Sequence, residues 1–250
     1  MKRLLLLLIL VALLCPLTAP AEDATCSHAR TVPEDFVCEL PEGEPADVYY
    51  FSDALLIGDS IAGSLDLRDV IPEMKIEYVI GLSPNAALKY SNVEYEGEKM
   101  TMAAMCARIQ PRKLFVMLGS NGLDQMKSGV ILEDYHLLLD QLLDDLPDTD
   151  IYLISVTPIR SPATKEKYPT FTHARIRAFN TGLRELAETH GVHFIDCYTP
   201  LMMENGSDGL KENFTGDGIH LTERGATLVA DTIRTHVAPE TVIYEEVVLE

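Results

Sequence analysis

The stretch Ala54-Leu55-Leu56-Ile57-Gly58-Asp59-Ser60-Ile61 decides the fold. Its apolar run reads as a buried strand, Gly58-Asp59-Ser60 as a turn, and Ile61-Ala62-Gly63-Ser64-Leu65 as the start of a helix. In an open α/β sheet, ligand sites form at the carboxyl ends of strands. A serine there, on the first turn of a helix, exposes its hydroxyl beside unsatisfied backbone N–H groups. Those donors and the positive end of the helix dipole favour negative charge. Ser60 is therefore a candidate nucleophile. An unassisted serine hydroxyl is a poor one, so it needs a base, a group to orient that base, and oxyanion donors.

Working outward, strands and helices alternate. Leu65, Leu67, Val70 and Ile71 predict a helix ending before Pro72, and residues 76–81 a second strand that stops at Gly81. A helix over 102–109 leads into a third strand over 114–119, continuous and apolar as a doubly covered parallel strand should be. Tyr135, Leu138, Leu139, Leu142, Leu143 and Leu146 form one stripe of a long helix that Pro147 ends. A fourth strand over 151–156 follows. Next come a helix carrying Ile176, Phe179, Leu183 and Leu186 with Gly191 as its stop, and a fifth strand over 192–196. The last helix is expected from about 222 to 236. The pattern predicts an α/β fold: one domain over 50–238, with a five-stranded parallel sheet and helices on both faces.

The flanks differ. Lys2 and Arg3 precede an apolar run from Leu4 to Leu14, then Pro16 and the small-residue site Ala19-Pro20-Ala21. This is the anatomy of a secretory signal peptide over 1–21, too short for a comfortable membrane span; an uncleaved anchor or a lipoprotein at Cys15 are the alternatives. Residues 22–49 read as an acidic, proline-dotted extension, and 239–250 as an acidic tail. Removing the signal takes away Lys2 and Arg3 and no acidic residue, which moves the net charge of −19 to −21. Such a surface repels phosphate backbones and anionic headgroups, so neither nucleic acid nor stable membrane insertion after cleavage is expected. Oligomeric state is not legible. Four cysteines remain, and Cys26–Cys38 is the favoured pairing; closing so short a loop is worth about 3 kcal/mol in the chain-entropy model. Cys106 and Cys197 sit among apolar neighbours, where buried free thiols are the plainer reading.

The base candidate is His220, in Gly216-Asp217-Gly218-Ile219-His220 before the last helix. Asp217 lies three residues earlier, a spacing that lets a turn bring carboxylate to imidazole. One ring nitrogen is then held by the carboxylate, and the other is left to take a serine proton. Oxyanion donors are available at the ends of the second and third strands: the Gly81 N–H, which no side chain shields, and the Asn121 amide in Gly119-Ser120-Asn121-Gly122. His190 and His193 near Asp196 hint at a metal but lack further ligands, and no Cys-x-x-Cys is present, so no metal and no cofactor are expected. Lys89, Arg160 and Tyr168 are candidates to line a pocket.

Together, Gly58-Asp59-Ser60, Gly81, Gly119-Ser120-Asn121 and Asp217-Gly218-Ile219-His220 resemble, in order and in structural context, the four motif blocks of the SGNH (GDSL-like) hydrolases. The resemblance spans about residues 50–238. It implies a flavodoxin-like three-layer α/β/α fold and a serine esterase or lipase. Ser60 would be nucleophile and, through its N–H, an oxyanion donor; Gly81 and Asn121 would be the other donors; His220 would be the general base, with Asp217 orienting it and Asp59 anchoring the loop. Two positions depart from the pattern. Ile61 replaces the leucine of the GDSL name, and Gly122 stands where the family usually has Asp, which leaves open how the Asn121 loop is braced. The reading is an exported enzyme cleaving a small-molecule or carbohydrate ester, acetyl esters first. A lipid esterase or lysophospholipase, an O-acetyltransferase with the same triad, and a non-catalytic carbohydrate-binding or envelope module are the alternatives.

Overall fold

The computed structural model describes residues 32–203 and 209–239. The 1–21 signal segment, Cys26 of the favoured Cys26–Cys38 pairing, and the tail from 240 onward lie outside the described residues.

Five strands form one parallel sheet: β1 (Ala54–Gly58), β2 (Lys75–Tyr78), β5 (Lys113–Met117), β6 (Asp150–Ile154) and β7 (His193–Ile195), in the order β2-β1-β5-β6-β7. Every residue of β1 and β5 is buried, and apart from Lys113, which pairs with Asp53 at 3.0 Å, none carries a polar side chain. Side chains alternate across the sheet. Leu55, Ile57, Leu114 and Val116 enter one core, and Leu56, Phe115, Tyr152 and Ile154 the other. The first core is covered by α2 (Pro84–Lys89), α3 (Met102–Ile109), α4 (Ser128–Asp145) and α6 (His173–His190). The second is covered by α1 (Ser60–Asp66) and α8 (Glu223–Thr235), with Phe115 and Tyr152 stacked at 4.6 Å between centroids. The result is the expected three-layer α/β/α arrangement. From β1 the chain steps outward to β2, then returns across β1 to add β5, β6 and β7 on the other side. That reversal between β1 and β5 opens a crevice at their carboxyl ends.

Several short pieces depart from the sequence reading. The first helix stops at Asp66, and Asp69 takes a left-handed φ of 50°, so Val70 and Ile71 lie on a turn; Ile71 is still buried. The second strand ends at Tyr78, with the Val79 N–H still bonded to the Gly58 carbonyl at 3.1 Å. Between Gly81 and α3, α2 and an antiparallel hairpin of β3 (Val93–Tyr95) and β4 (Glu98–Met100) are unpredicted. The hairpin turns at Glu96-Gly97, both with positive φ, which matches a two-residue type I′ turn. The one-turn helices α5 (Ser161–Thr164) and α7 (Tyr198–Leu201) are also new.

The extension lies along the domain. The Cys38 carbonyl accepts from Phe194 N–H at 2.8 Å beside β7, and Gly43 and Ala46 donate to the carbonyls of Thr235 and Arg234. Cys38, Cys106 and Cys197 are free thiols, the last two buried. Among the described residues no helix is long and apolar enough to cross a membrane.

Candidate active site

Ser60 is the first residue of α1, directly after the β1 turn. Asp59 caps that helix, its Oδ1 accepting from Ile61 N–H at 2.9 Å. Gly58 is required by close approach: a Cβ there would lie 2.7 Å from the Met117 carbonyl and 2.4 Å from Ala62 Cβ. The sharp strand-to-helix turn that presents Ser60 at the crevice therefore depends on this glycine.

The candidate base arrives from the loop before α8. Asp217 Oδ1 accepts from Ile219 N–H at 2.9 Å and His220 N–H at 2.8 Å, which folds the segment into a tight turn. That turn leaves Asp217 Oδ2 2.6 Å from His220 Nδ1. His220 Nε2 then lies 3.0 Å from Ser60 Oγ. With its Nδ1–H donated to the carboxylate, the ring presents the Nε2 lone pair to the serine hydroxyl. Partial burial pushes the Asp217 carboxyl up. The hydrogen bonds from the His220 ring and from the Ile219 and His220 N–H groups outweigh it and hold the carboxyl down at about 2.

The opposite wall carries the two other oxyanion candidates. Ser60, Gly81, Asn121 and His220 line one cleft of about 500 Å³. A Cβ built on Gly81 would meet nothing within 4 Å, so its backbone faces open space. Asn121 Nδ2 donates to Asp59 Oδ2 at 2.8 Å and to the Leu82 carbonyl at 3.1 Å. Both amide protons thus have acceptors. Donation to a substrate oxyanion requires exchanging one, and the bond to the neutral carbonyl is the weaker. Asp59, 1 % exposed, also accepts from Ser120 Oγ at 2.5 Å. Burial raises its carboxyl above the usual range, against the opposing pull of the Ser120, Ile61 and Asn121 hydrogen bonds. It anchors the loop and does not face the reacting atoms.

The residue that sequence reasoning missed is Arg175. Reaching from the first turn of α6, it donates to the carbonyls of Leu123 at 2.9 Å, Met126 at 3.1 Å and Thr170 at 3.3 Å. Thr170 Oγ1 also bonds the Asp124 carbonyl. The loop after Asn121 is therefore held from outside. Gly122, at φ 99°, supplies the left-handed turn that bends it toward Arg175, with its own carbonyl accepting from Met126 N–H at 2.7 Å. The loop that carries Gly122 is thus braced by a remote guanidinium. The only sequence signal was an arginine on a helix, which reads as a solvent-facing residue.

Tyr168 joins Phe171 and Met126 in lining the cleft. Arg160 instead pairs with Glu212 at 2.7 Å, and Lys89 lies in the last turn of α2; neither lines the cleft. His190, His193 and Asp196 do not gather: His193 Nδ1 meets the Val37 carbonyl, and Asp196 accepts from the Tyr198 N–H at 2.8 Å.

Known proteins share this framework. A GDSL-like lipase from Bacteroides thetaiotaomicron VPI-5482 superposes with a TM-score of 0.58 at 16% identity, covering 75% of this chain and 88% of that one. A carbohydrate esterase family 3 protein from Talaromyces cellulolyticus gives 0.53 at 16%, covering 72% and 93%. The periplasmic domain of a lipopolysaccharide acetyltransferase from Salmonella ser. Paratyphi A gives 0.50 at 16%, covering 73% and 82%. At these identities the likeness is one of fold. A search among curated proteins gives no match. The family model of the GDSL-like Lipase/Acylhydrolase family matches residues 88–228, which include Asn121, Asp217 and His220 and begin after Ser60 and Gly81. With more than half its length matched and the sheet order that fold requires, the chain belongs to the GDSL-like lipase/acylhydrolase family of serine hydrolases acting on esters.

Proposed function

We propose that the protein is an exported, extracytoplasmic serine esterase that removes short acyl groups, acetyl first, from carbohydrate. The unbroken relay Ser60 Oγ–His220 Nε2–His220 Nδ1–Asp217 Oδ2, at 3.0 and 2.6 Å, carries the reading. In this mechanism Ser60 Oγ attacks the ester carbonyl as His220 Nε2 takes its proton. The tetrahedral oxyanion is held by the N–H groups of Ser60 and Gly81 and by an Asn121 amide proton withdrawn from Leu82. Collapse breaks the bond to the alcohol, which leaves with the proton from His220. Water then repeats the sequence on the acyl-enzyme, releasing the acid and restoring Ser60.

Three observations support the choice of substrate. The cleft is modest at about 500 Å³ and is lined by Tyr168, whose part-exposed ring offers a surface for a sugar face, beside the largely buried Phe171. The net charge of −19 disfavours phosphate-bearing lipids. Structural neighbours include a carbohydrate esterase and a lipopolysaccharide acetyltransferase periplasmic domain. Export rests on the 1–21 segment, with cleavage after Ala21.

The test is hydrolysis of p-nitrophenyl acetate, butyrate and octanoate and of acetylated xylan by purified protein beside Ser60→Ala. Acetate should be the fastest aryl ester, and free acetate should appear from the polymer. A wild type no faster than Ser60→Ala would leave a non-catalytic binding module. A rate rising with chain length would overturn the acetyl preference in favour of a lipid esterase.

A further inference from the structure

We infer that His136, Asp140 and His190 form a divalent-cation site of the zinc class that ties α4 to α6, away from the ester-cleaving crevice. His136 and Asp140 are one helical turn apart on α4, so their side chains share a face. His190 is the last residue of α6 and comes from across the helix pair. The three donor atoms lie within 4.8 Å of one another. His190 Nε2 is 3.2 Å from Asp140 Oδ1, and His136 Nε2 is 3.6 Å from Asp140 Oδ2. Two ligands of a tetrahedral zinc, each 2.0–2.1 Å from the metal, stand roughly 3.3 Å apart. The two separations to Asp140 lie near that spacing, and with all three donors within 4.8 Å a side-chain adjustment closes them on one ion.

The hydrogen bonding of His190 points the same way. Its Nδ1 lies 2.8 Å from the Leu186 carbonyl, an acceptor, so Nδ1 carries the proton and the tautomer is set. The other ring nitrogen, Nε2, then faces a carboxylate oxygen at 3.2 Å. A cation between them is coordinated by both, and a backbone carbonyl on the second nitrogen is the usual outer support of a metal-bound histidine. Two neutral imidazoles and one carboxylate make a three-ligand set with room for water, and the acidic surface raises the local cation concentration. The cluster sits near the C-termini of α4 and α6. Helices in such folds run back antiparallel to the strands they follow, so it lies toward the amino ends of the strands, away from Ser60. It takes no part in the proposed acyl transfer.

The alternative reading of the same cluster is a metal-free His190–Asp140 contact. Titration calorimetry and thermal unfolding with zinc chloride at pH 7.5, on untagged protein, separate the two. One equivalent of zinc should bind, and Tm should rise by about 5 °C or more at a free concentration 100 times Kd. Both effects should be lost in His190→Gln and in His136→Gln, and kept in His220→Gln, which removes the imidazole at the crevice. His136 is half exposed, so its variant keeps the fold independent of metal. Absence of heat and of a Tm shift up to millimolar zinc would overturn the site, as would undiminished binding in both variants.

Discussion

On one side of the cleft Ser60, the proposed nucleophile, is placed mainly by its own neighbours in the chain. Gly58 lets the strand end against β5, Asp59 caps the helix one residue ahead of Ser60, and the helix begins at once. The Asn121 side is assembled from a distance. Its amide is held by Asp59 and Leu82, and the loop that follows by Arg175 and Thr170, none of them within thirty residues in sequence. The difference has a thermodynamic meaning. A locally built turn forms with its helix, whereas a loop held by a few remote hydrogen bonds opens at lower free energy than the core. One wall of the site is therefore rigid by construction, and the other is rigid only while its partners stay in place.

Substitutions can break this contrast at graded strength. Ser60→Ala should lower kcat by about four orders of magnitude or more while leaving Tm within a degree, because only the attacking atom is lost. Asn121→Ala should lower kcat about 10²- to 10³-fold with KM little changed, the pattern for a donor that acts in the transition state. A fall in kcat below about threefold would show that Gly81 and Ser60 N–H groups suffice. Asp59→Asn sits at the junction of the two walls. It turns an amide N–H₂ toward Ser120 and Asn121 or else toward Ile61 N–H, and loses at least one charge-assisted hydrogen bond of about 1.5–3 kcal/mol. A drop of about 10- to 100-fold in kcat is expected, along with a lower Tm.

Arg175→Lys keeps the charge but not the fork that meets the carbonyls of Leu123, Asp124, Met126 and Thr170. About a three- to tenfold loss in kcat/KM is expected, with amide exchange accelerating over 122–127 and unchanged over 54–65; equal acceleration in both segments would erase the contrast. The smallest effect concerns Asp217. Its carboxyl, held at about 2, lies below its ordinary range, so the stability it adds is complete above about pH 4 and is lost as pH falls toward 2. Exposure makes this contribution modest. Tm between pH 4 and 2 should fall less steeply in Asp217→Asn than in the wild type.

What was legible follows the same division. The strands at β1 and β5 announced themselves because burial on both faces demands unbroken apolar runs. Ser60 and the Asp217–His220 pair were visible because each depends on residues within three positions. The region from 84 to 100 was not, since α2 is short and the hairpin is polar and half exposed, with no periodicity to detect. Arg175 was hidden for a different reason: its partners are carbonyl groups, which every residue possesses and no sequence displays. The metal-ligating geometry of His136, Asp140 and His190 was obscured because only two of the three share a helix, and His190 looked nearer to His193 and Asp196 along the chain.

Arg175 binds the carbonyls of Leu123 and Met126 together with that of Thr170, which lies between the two aromatic residues of the cleft, Tyr168 and Phe171. The segment bearing the aromatic residues of the cleft and the loop after Asn121 therefore share a single hub. For anyone redesigning this enzyme, cleft width and turnover are not independent dials. A substitution at Tyr168 or Phe171 that admits a bulkier alcohol will travel through the guanidinium to Asn121, so selection for a new substrate should return second changes at or around Arg175.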